Sequence, residues 1–237
     1  MPEEPTRLSK VVAALVPCSR SEAERYITEG WVRVDGEVVD EPQHRVSTER
    51  VDIDPRATLH PAAPATFLVH KPAGQSTAGL LDTLGAATHW PDDASGIRPV
   101  KSHRARLVPL LALPTPAEGL CVFSQDGRIV RKLREDALLI EQELLADVAG
   151  VLVEGGLERL REGLVFEGQA LPPARVSWQS EARLRFAVKA IPPELVPWMC
   201  SQVGLELVAL RRIRIGRVPM AGLPPGQWRY LGPGERF

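Results

Sequence analysis

Cations at two predicted helix starts are the first residues of this 237-residue sequence whose placement suggests chemistry. Arg7 and Lys10 open one apolar-periodic segment and Arg20 opens the next, so side-chain cations and unpaired first-turn amides would stand together there. Such a grouping suits phosphates. The plainer reading is a solvated helix face, with Glu22, Glu24 and Glu29 at i,i+3 and i,i+4 spacing to neutralise it. A second basic run, Arg98, Lys101, His103, Arg104 and Arg106, lies in a segment without periodicity and reads as a solvated loop rather than an RNA clamp. Arg212 and Arg214 fall on one face of a predicted strand and Arg211 and Arg217 on the other, where cross-sheet ion pairs explain them as well as ligand contact does. The histidines (His44, His60, His70, His89, His103) are scattered, and none pairs with Cys or Asp at ligand spacing. No metal site is therefore expected. No Gly-rich phosphate loop is present and no cofactor is implied.

The elements that must position these cations are short. Leu8, Val11, Val12 and Leu15 fall at helical spacing before Val16-Pro17 breaks the pattern. Ser19-Arg20-Ser21-Glu22 is a capping box, in which hydroxyl and carboxylate satisfy each other's free amides. Ala23, Tyr26 and Ile27 form the apolar stripe of the helix that follows, and Gly30 ends it. Trp31 to Val34, the turn signal Asp35-Gly36, and Glu37 to Val39 read as a hairpin, with Arg50 to Asp54 as a last short strand. Pro55 to Ala65 holds three prolines and no periodicity, and reads as a linker. Beyond it, Phe67 to His70 and Gly119 to Ser124 read as strands. Leu157, Leu160 and Leu164 mark a helix, while Leu184, Phe186 and Val188 alternate as a strand. Pro192-Pro193 starts a helix closed by Gly204.

Charge narrows the function. Lys and Arg number 29 against 30 Asp and Glu, which excludes a strongly basic, non-specific nucleic-acid binder and leaves only local patches. Residues 1–60 carry 8 basic and 12 acidic side chains, net −4, and the remainder 21 and 18, net +3. The hydrophobic fraction of 44% is ordinary for a globular protein, and no apolar run approaches the roughly 18–20 residues of a membrane span. Met1-Pro2-Glu3-Glu4 is acidic with no apolar stretch behind it, so no secretory signal is expected. Three distant cysteines (Cys18, Cys121, Cys200) suit a reducing cytoplasm.

Arg7-Leu8-x-Lys10, Ser19-Arg20-x-Glu22-Ala23, Ile27 and Gly30-x-Val32-x-Val34-x-Gly36 together resemble the alpha-L (S4-like) RNA-binding domain. The remainder resembles the ribosomal RNA pseudouridine synthases of the small-subunit type, which carry that domain in front. The matching motifs are Lys71-Pro72-Ala73-Gly74, Ser124-Gln125-Asp126-Gly127, Leu160-Arg161-Glu162-Gly163-Leu164, and the tail from Leu210 to Leu231. The resemblance implies an α+β protein with an S4-like domain over 1–56, a linker over 57–65, and over 66–237 a mixed, largely antiparallel sheet core. It implies RNA contact by Arg7, Lys10, Ser19, Arg20, Arg25 and Arg33, and further sites at Lys71, Arg212 and Arg214.

The same resemblance exposes a departure. Family members carry Gly-Arg-Leu-Asp before the next strand, and that Asp is their catalytic carboxylate. Here the run is Leu111-Ala112-Leu113-Pro114, so Pro114 takes the Asp position and Ala112 the Arg position. Leu144 stands where a Tyr would stack on the extruded uracil. Ala190 to Met199 replaces a basic helix entry. Proline offers neither a nucleophile nor a titrating proton, so no catalytic residue is assigned. The expectation is an RNA-binding member of the family, a pseudoenzyme monomer acting on structured RNA, ribosomal RNA first, and on neither DNA nor membrane. Two alternatives stay open: an active synthase using another acid, with Glu118 as a remote candidate, and a protein–protein scaffold that binds no RNA.

Overall fold

The computed structural model describes residues 4–60 and 62–237. Met1 to Glu3 of the acidic start and Pro61 of the linker lie outside the described residues. The chain forms two units, Met1–Pro64 with Ile97–Arg106, and Ala65–Gly96 with Leu107–Phe237.

In the first unit the local signals become structure. Helix Leu8–Leu15 buries Leu8 and Val12. Helix Arg20–Thr28 starts at a complete capping box: the Ser19 hydroxyl accepts from the Glu22 amide at 3.3 Å, and the Glu22 carboxylate accepts from the Ser19 amide at 2.8 Å. Both helices close on Ala23, Ile27, Val32, Val34 and Val46. The hairpin turn has positive φ at Asp35 (50°) and Gly36 (87°), as a two-residue turn between twisted strands requires. Strand Val32–Val34 lies between Glu37–Val38 and Val51–Ile53, antiparallel to both. A separate two-residue pairing sets Thr6–Arg7 against Arg45–Val46.

The second unit is built on one mixed sheet. In spatial order its strands are Arg175–Ser180, Arg183–Val188, Gln142–Gly150, Leu205–Ile215, Glu118–Ser124, Thr66–Lys71 and Trp228–Tyr230. Neighbours are antiparallel except Leu205–Ile215 with Glu118–Ser124. At that parallel seam the backbones meet at Gly119, where a Cβ would stand 2.2 Å from the Arg212 carbonyl oxygen. Only glycine fits there. One apolar layer holds Leu68, Leu110, Leu120, Val122, Leu133 and Ile215.

Two sequence readings change. Arg212 and Arg214 do not share a face. The register shifts between them, so Arg212 lies opposite Leu144 and Arg214 opposite Glu143, adjacent residues that point to opposite sides of the sheet. And Ile97–Arg106, read as part of a solvated loop, packs within the first unit, where His103 is buried.

Candidate nucleic-acid interface and catalytic position

Pairing decides what the first unit offers. Arg7 lies directly opposite Arg45 in an antiparallel ladder. Like charges at opposed positions repel unless an anion or a hydrogen bond separates them. Arg45 finds part of that relief by donating to the Pro5 carbonyl at 2.9 Å. Around this pair opens a cavity of about 440 Å³, which Lys10 and Arg20 also line, with Thr6, Ser9 and Glu4. Three of the cations expected from the sequence, Arg7, Lys10 and Arg20, thus meet at one concavity. Arg45 joins them unforeseen, because only the pairing with Thr6–Arg7 brings it there. The Arg20 guanidinium is 3.1 Å from Glu24, a surface pair with 70% and 41% of the two side chains exposed. Such a pair is worth about 0–1 kcal/mol and exchanges readily for a phosphate.

The other expected contacts in this unit are engaged locally. The Ser19 hydroxyl serves the cap, and the Ser19 amide followed by its hydroxyl holds the Glu22 carboxyl below the usual carboxylate range. Arg25 donates to the Leu59 carbonyl, and Arg33 to the Gly36 carbonyl at 2.9 Å. These are struts of the unit.

In the second unit, Pro114 sits in the loop between strands Val108–Leu110 and Glu118–Ser124, where its carbonyl accepts from the Ala117 amide at 3.1 Å. Three side chains pin this loop. Thr77 clasps Leu113, its hydroxyl donating to the carbonyl at 3.2 Å and accepting from the amide at 3.1 Å. Lys71, with no exposed surface, gives its ammonium protons to the carbonyls of Pro72, Thr115 and Ala117. Arg212, equally buried, donates to the Leu120 carbonyl and the Gln142 side-chain oxygen at 2.8 Å each and to the Leu111 carbonyl. Every one of these partners is neutral. Burial pushes both cations below their usual pKa values, and the charge of Arg212 lowers that of Lys71 further.

The residues expected to contact RNA beyond the linker are engaged within the protein. A cation with no exposed surface and its donors satisfied has nothing to present to a phosphate, so Lys71 and Arg212 are interior supports of the loop. Arg214 is held between Glu141 at 2.6 Å and Glu143 at 2.7 Å. Leu144 is buried opposite Arg212, and Ile191, Pro193, Val196 and Met199 are buried apolar groups.

Carboxylates near the loop are committed as well. A cavity of about 200 Å³ is lined by Ala73, Pro116, Glu118, Asp147, Arg183 and Arg211 among others. Glu118 pairs with Arg211 directly across the strand, and Asp147 with Arg183 at 3.1 Å. The Arg183 hydrogen bonds hold the Asp147 carboxyl below its usual range, unsuited to proton transfer near neutrality. Asp126 caps helix Gly127–Glu135, accepting from the Arg128 amide at 2.8 Å. Among the described residues no three His, Cys, Asp or Glu side chains gather as metal ligands would.

These features define an S4 domain joined to a sheet core of the pseudouridine synthase type. Residues 6–52 match the S4 domain. The chain is 28% identical over 236 residues to an uncharacterized RNA pseudouridine synthase of Aquifex aeolicus, covering 97% of this chain and 91% of that protein. It is 27% identical to ribosomal large subunit pseudouridine synthase B of Bacillus subtilis, covering 97% and 93%. It is 25% identical to the dual-specificity RNA pseudouridine synthase RluF of Escherichia coli, covering 99% and 78%. A crystal structure of a pseudouridylate synthase superposes with a TM-score of 0.60 at 20% identity, covering 95% of each chain, which shows the shared fold. The chain is an S4-domain homologue of the ribosomal RNA pseudouridine synthases.

Proposed function

We propose that this chain binds structured RNA, ribosomal RNA first, through the Arg7–Lys10–Arg20–Arg45 cavity and does not isomerise uridine. The observation that carries the second half is the loop around Pro114. The position that its relatives' resemblance reserves for a carboxylate holds a proline, and the two buried cations that hold the loop donate to carbonyl and amide oxygens and to the Cys121 sulfur. Breaking and rejoining a glycosidic bond needs a group that attacks the sugar or takes its proton, and none projects from Pro114. RNA recognition would rest on phosphate contacts and shape, since Leu144 supplies no stacking platform. A cytoplasmic monomer without cofactor or metal fits this reading. All three cysteines are free thiols, and among the described residues no helix is long and apolar enough to cross a membrane.

The relatives' names favour a second reading, an active synthase using another acid, and Glu118 is the carboxylate beside Pro116 in the smaller cavity. Its ion pair with Arg211 argues against that role. One experiment separates the two. Wild type and Glu118→Gln are incubated with unmodified ribosomal RNA, and pseudouridines are mapped by carbodiimide-blocked reverse transcription. The proposal expects no protein-dependent stop with either; stops made by wild type and lost in Glu118→Gln would establish the second reading.

A further inference from the structure

The S4 domain is acidic by its own residues, with 8 basic and 12 acidic side chains before residue 61. Acidity of that size repels RNA. Yet the compact unit also contains Ile97–Arg106, which brings Arg98, Lys101, Arg104 and Arg106 and no acid. With these four cations the unit is neutral. Its charge balance is thus completed by a segment that lies more than thirty residues further along the chain.

The way this strap docks divides its residues into anchors and presented groups. The Arg98 guanidinium lies 3.5 Å over the Trp31 ring and donates to the Glu29 carbonyl, at the C-terminal end of helix Arg20–Thr28. A cation there faces the negative end of the helix dipole. Gly30, at φ 68°, leaves the space, since a Cβ would stand 3.1 Å from the Arg98 guanidinium. Ser102 reaches the Glu29 carboxylate at 3.4 Å, and His103 is buried. These side chains hold the strap in place.

Lys101 and Arg104 do something else. Both stand 3.9 Å from the single carboxylate of Asp40, with 50% and 40% of their side chains exposed. One cation would neutralise Asp40; two leave a surplus positive charge, and exposed Arg106 adds to it. Arg98 anchors the strap at the C-terminal end of the helix whose first residue, Arg20, lines the cavity; at 1.5 Å per residue the helix separates anchor and cavity by roughly 12 Å, a span of a few nucleotides.

We propose that Ile97–Arg106 is a second RNA-contacting arm of the S4 unit, with Lys101, Arg104 and Arg106 meeting backbone phosphates while Arg98 and His103 anchor it. The proposal rests on the RNA-binding reading and adds a second patch to it. The test is filter binding of structured ribosomal RNA fragments across a salt series. It uses wild type, Lys101→Ala/Arg104→Ala/Arg106→Ala, and Arg7→Ala/Lys10→Ala/Arg20→Ala, with thermal unfolding of each protein. The strap variant should bind about tenfold more weakly at low salt, with the slope of log affinity against log salt shallower by about 2. Arg106→Ala alone, which breaks no ion pair with Asp40, should show a third of the slope change and keeps the test valid if the triple variant unfolds. Asp40→Asn should tighten binding by removing an acid and releasing two cations. Loss of binding in the cavity variant with wild-type binding by both strap variants would overturn the second arm and leave the RNA reading standing. No binding by wild type at low salt would overturn the RNA reading, and the arm with it.

Discussion

Arg7 and Arg45 in the first unit, and Lys71 and Arg212 in the second, are pairs of cations set close together by strand geometry, and they serve opposite ends. The first pair lines an open concavity with an exposed, weakly engaged neighbour in Arg20. The second pair has no exposed surface and is bound to neutral oxygens around Pro114. A cation contributes to recognition only while its donors remain available. Once buried against carbonyls it supports the backbone, and its desolvation is offset only by those hydrogen bonds. On the proposed reading, the second pair serves the scaffold and the first serves recognition.

The largest effect should come from removing a buried support. Arg212→Ala deletes the donor for the Leu120 and Leu111 carbonyls and the Gln142 side chain, and should cost about 3–5 kcal/mol in urea unfolding. Arg20→Ala, at the exposed pair, should change stability by less than about 1 kcal/mol. Comparable losses at the two sites would break the contrast.

His103 sharpens it with pH. Burial, and then the charge of Arg98, pushes its imidazole down to about 4. The folded value lies below the usual one, so the unfolded chain binds the proton more readily. Stability from the neutral ring is complete above about pH 6.5 and is lost as pH falls toward 4, amounting to at most about 3 kcal/mol. His103→Phe should flatten that part of the stability curve, read by urea unfolding between pH 7 and 4.

Smaller changes are expected at the surface. Arg7→Ala/Lys10→Ala/Arg20→Ala should lower RNA affinity at low salt by roughly 2 kcal/mol with little change in melting temperature. Ser19→Ala removes the hydroxyl of the capping box and should cost about 1 kcal/mol by thermal unfolding. The smallest effect concerns catalysis. Pro114→Asp alone should give no measurable pseudouridine, since Leu144 and the Ile191 to Met199 segment, apolar but for Glu194, still lack groups to hold a flipped base.

Legibility in the sequence followed the range of the interactions. The capping box at Ser19 and the Asp35-Gly36 turn are decided by residues three or fewer apart, and both stand where pattern placed them. The strap could not be read, because its partners Glu29 and Trp31 lie nearly seventy positions away. Arg45 escaped for the same reason. Alternation along Leu205–Ile215 put Arg212 and Arg214 on one face, and the bulge between them, invisible in a period-2 pattern, sent one inward and one outward. An arginine in a strand usually reads as solvent-facing. Only the paired structure discloses that Arg212 is interior.

The most direct test joins binding and chemistry in one sample. Wild-type protein is incubated with unmodified ribosomal RNA at low salt, retention on a filter is measured, and the same RNA is mapped for pseudouridine. The account predicts retained RNA that carries no protein-dependent pseudouridine. A reproducible, protein-dependent pseudouridine in the retained RNA would contradict it.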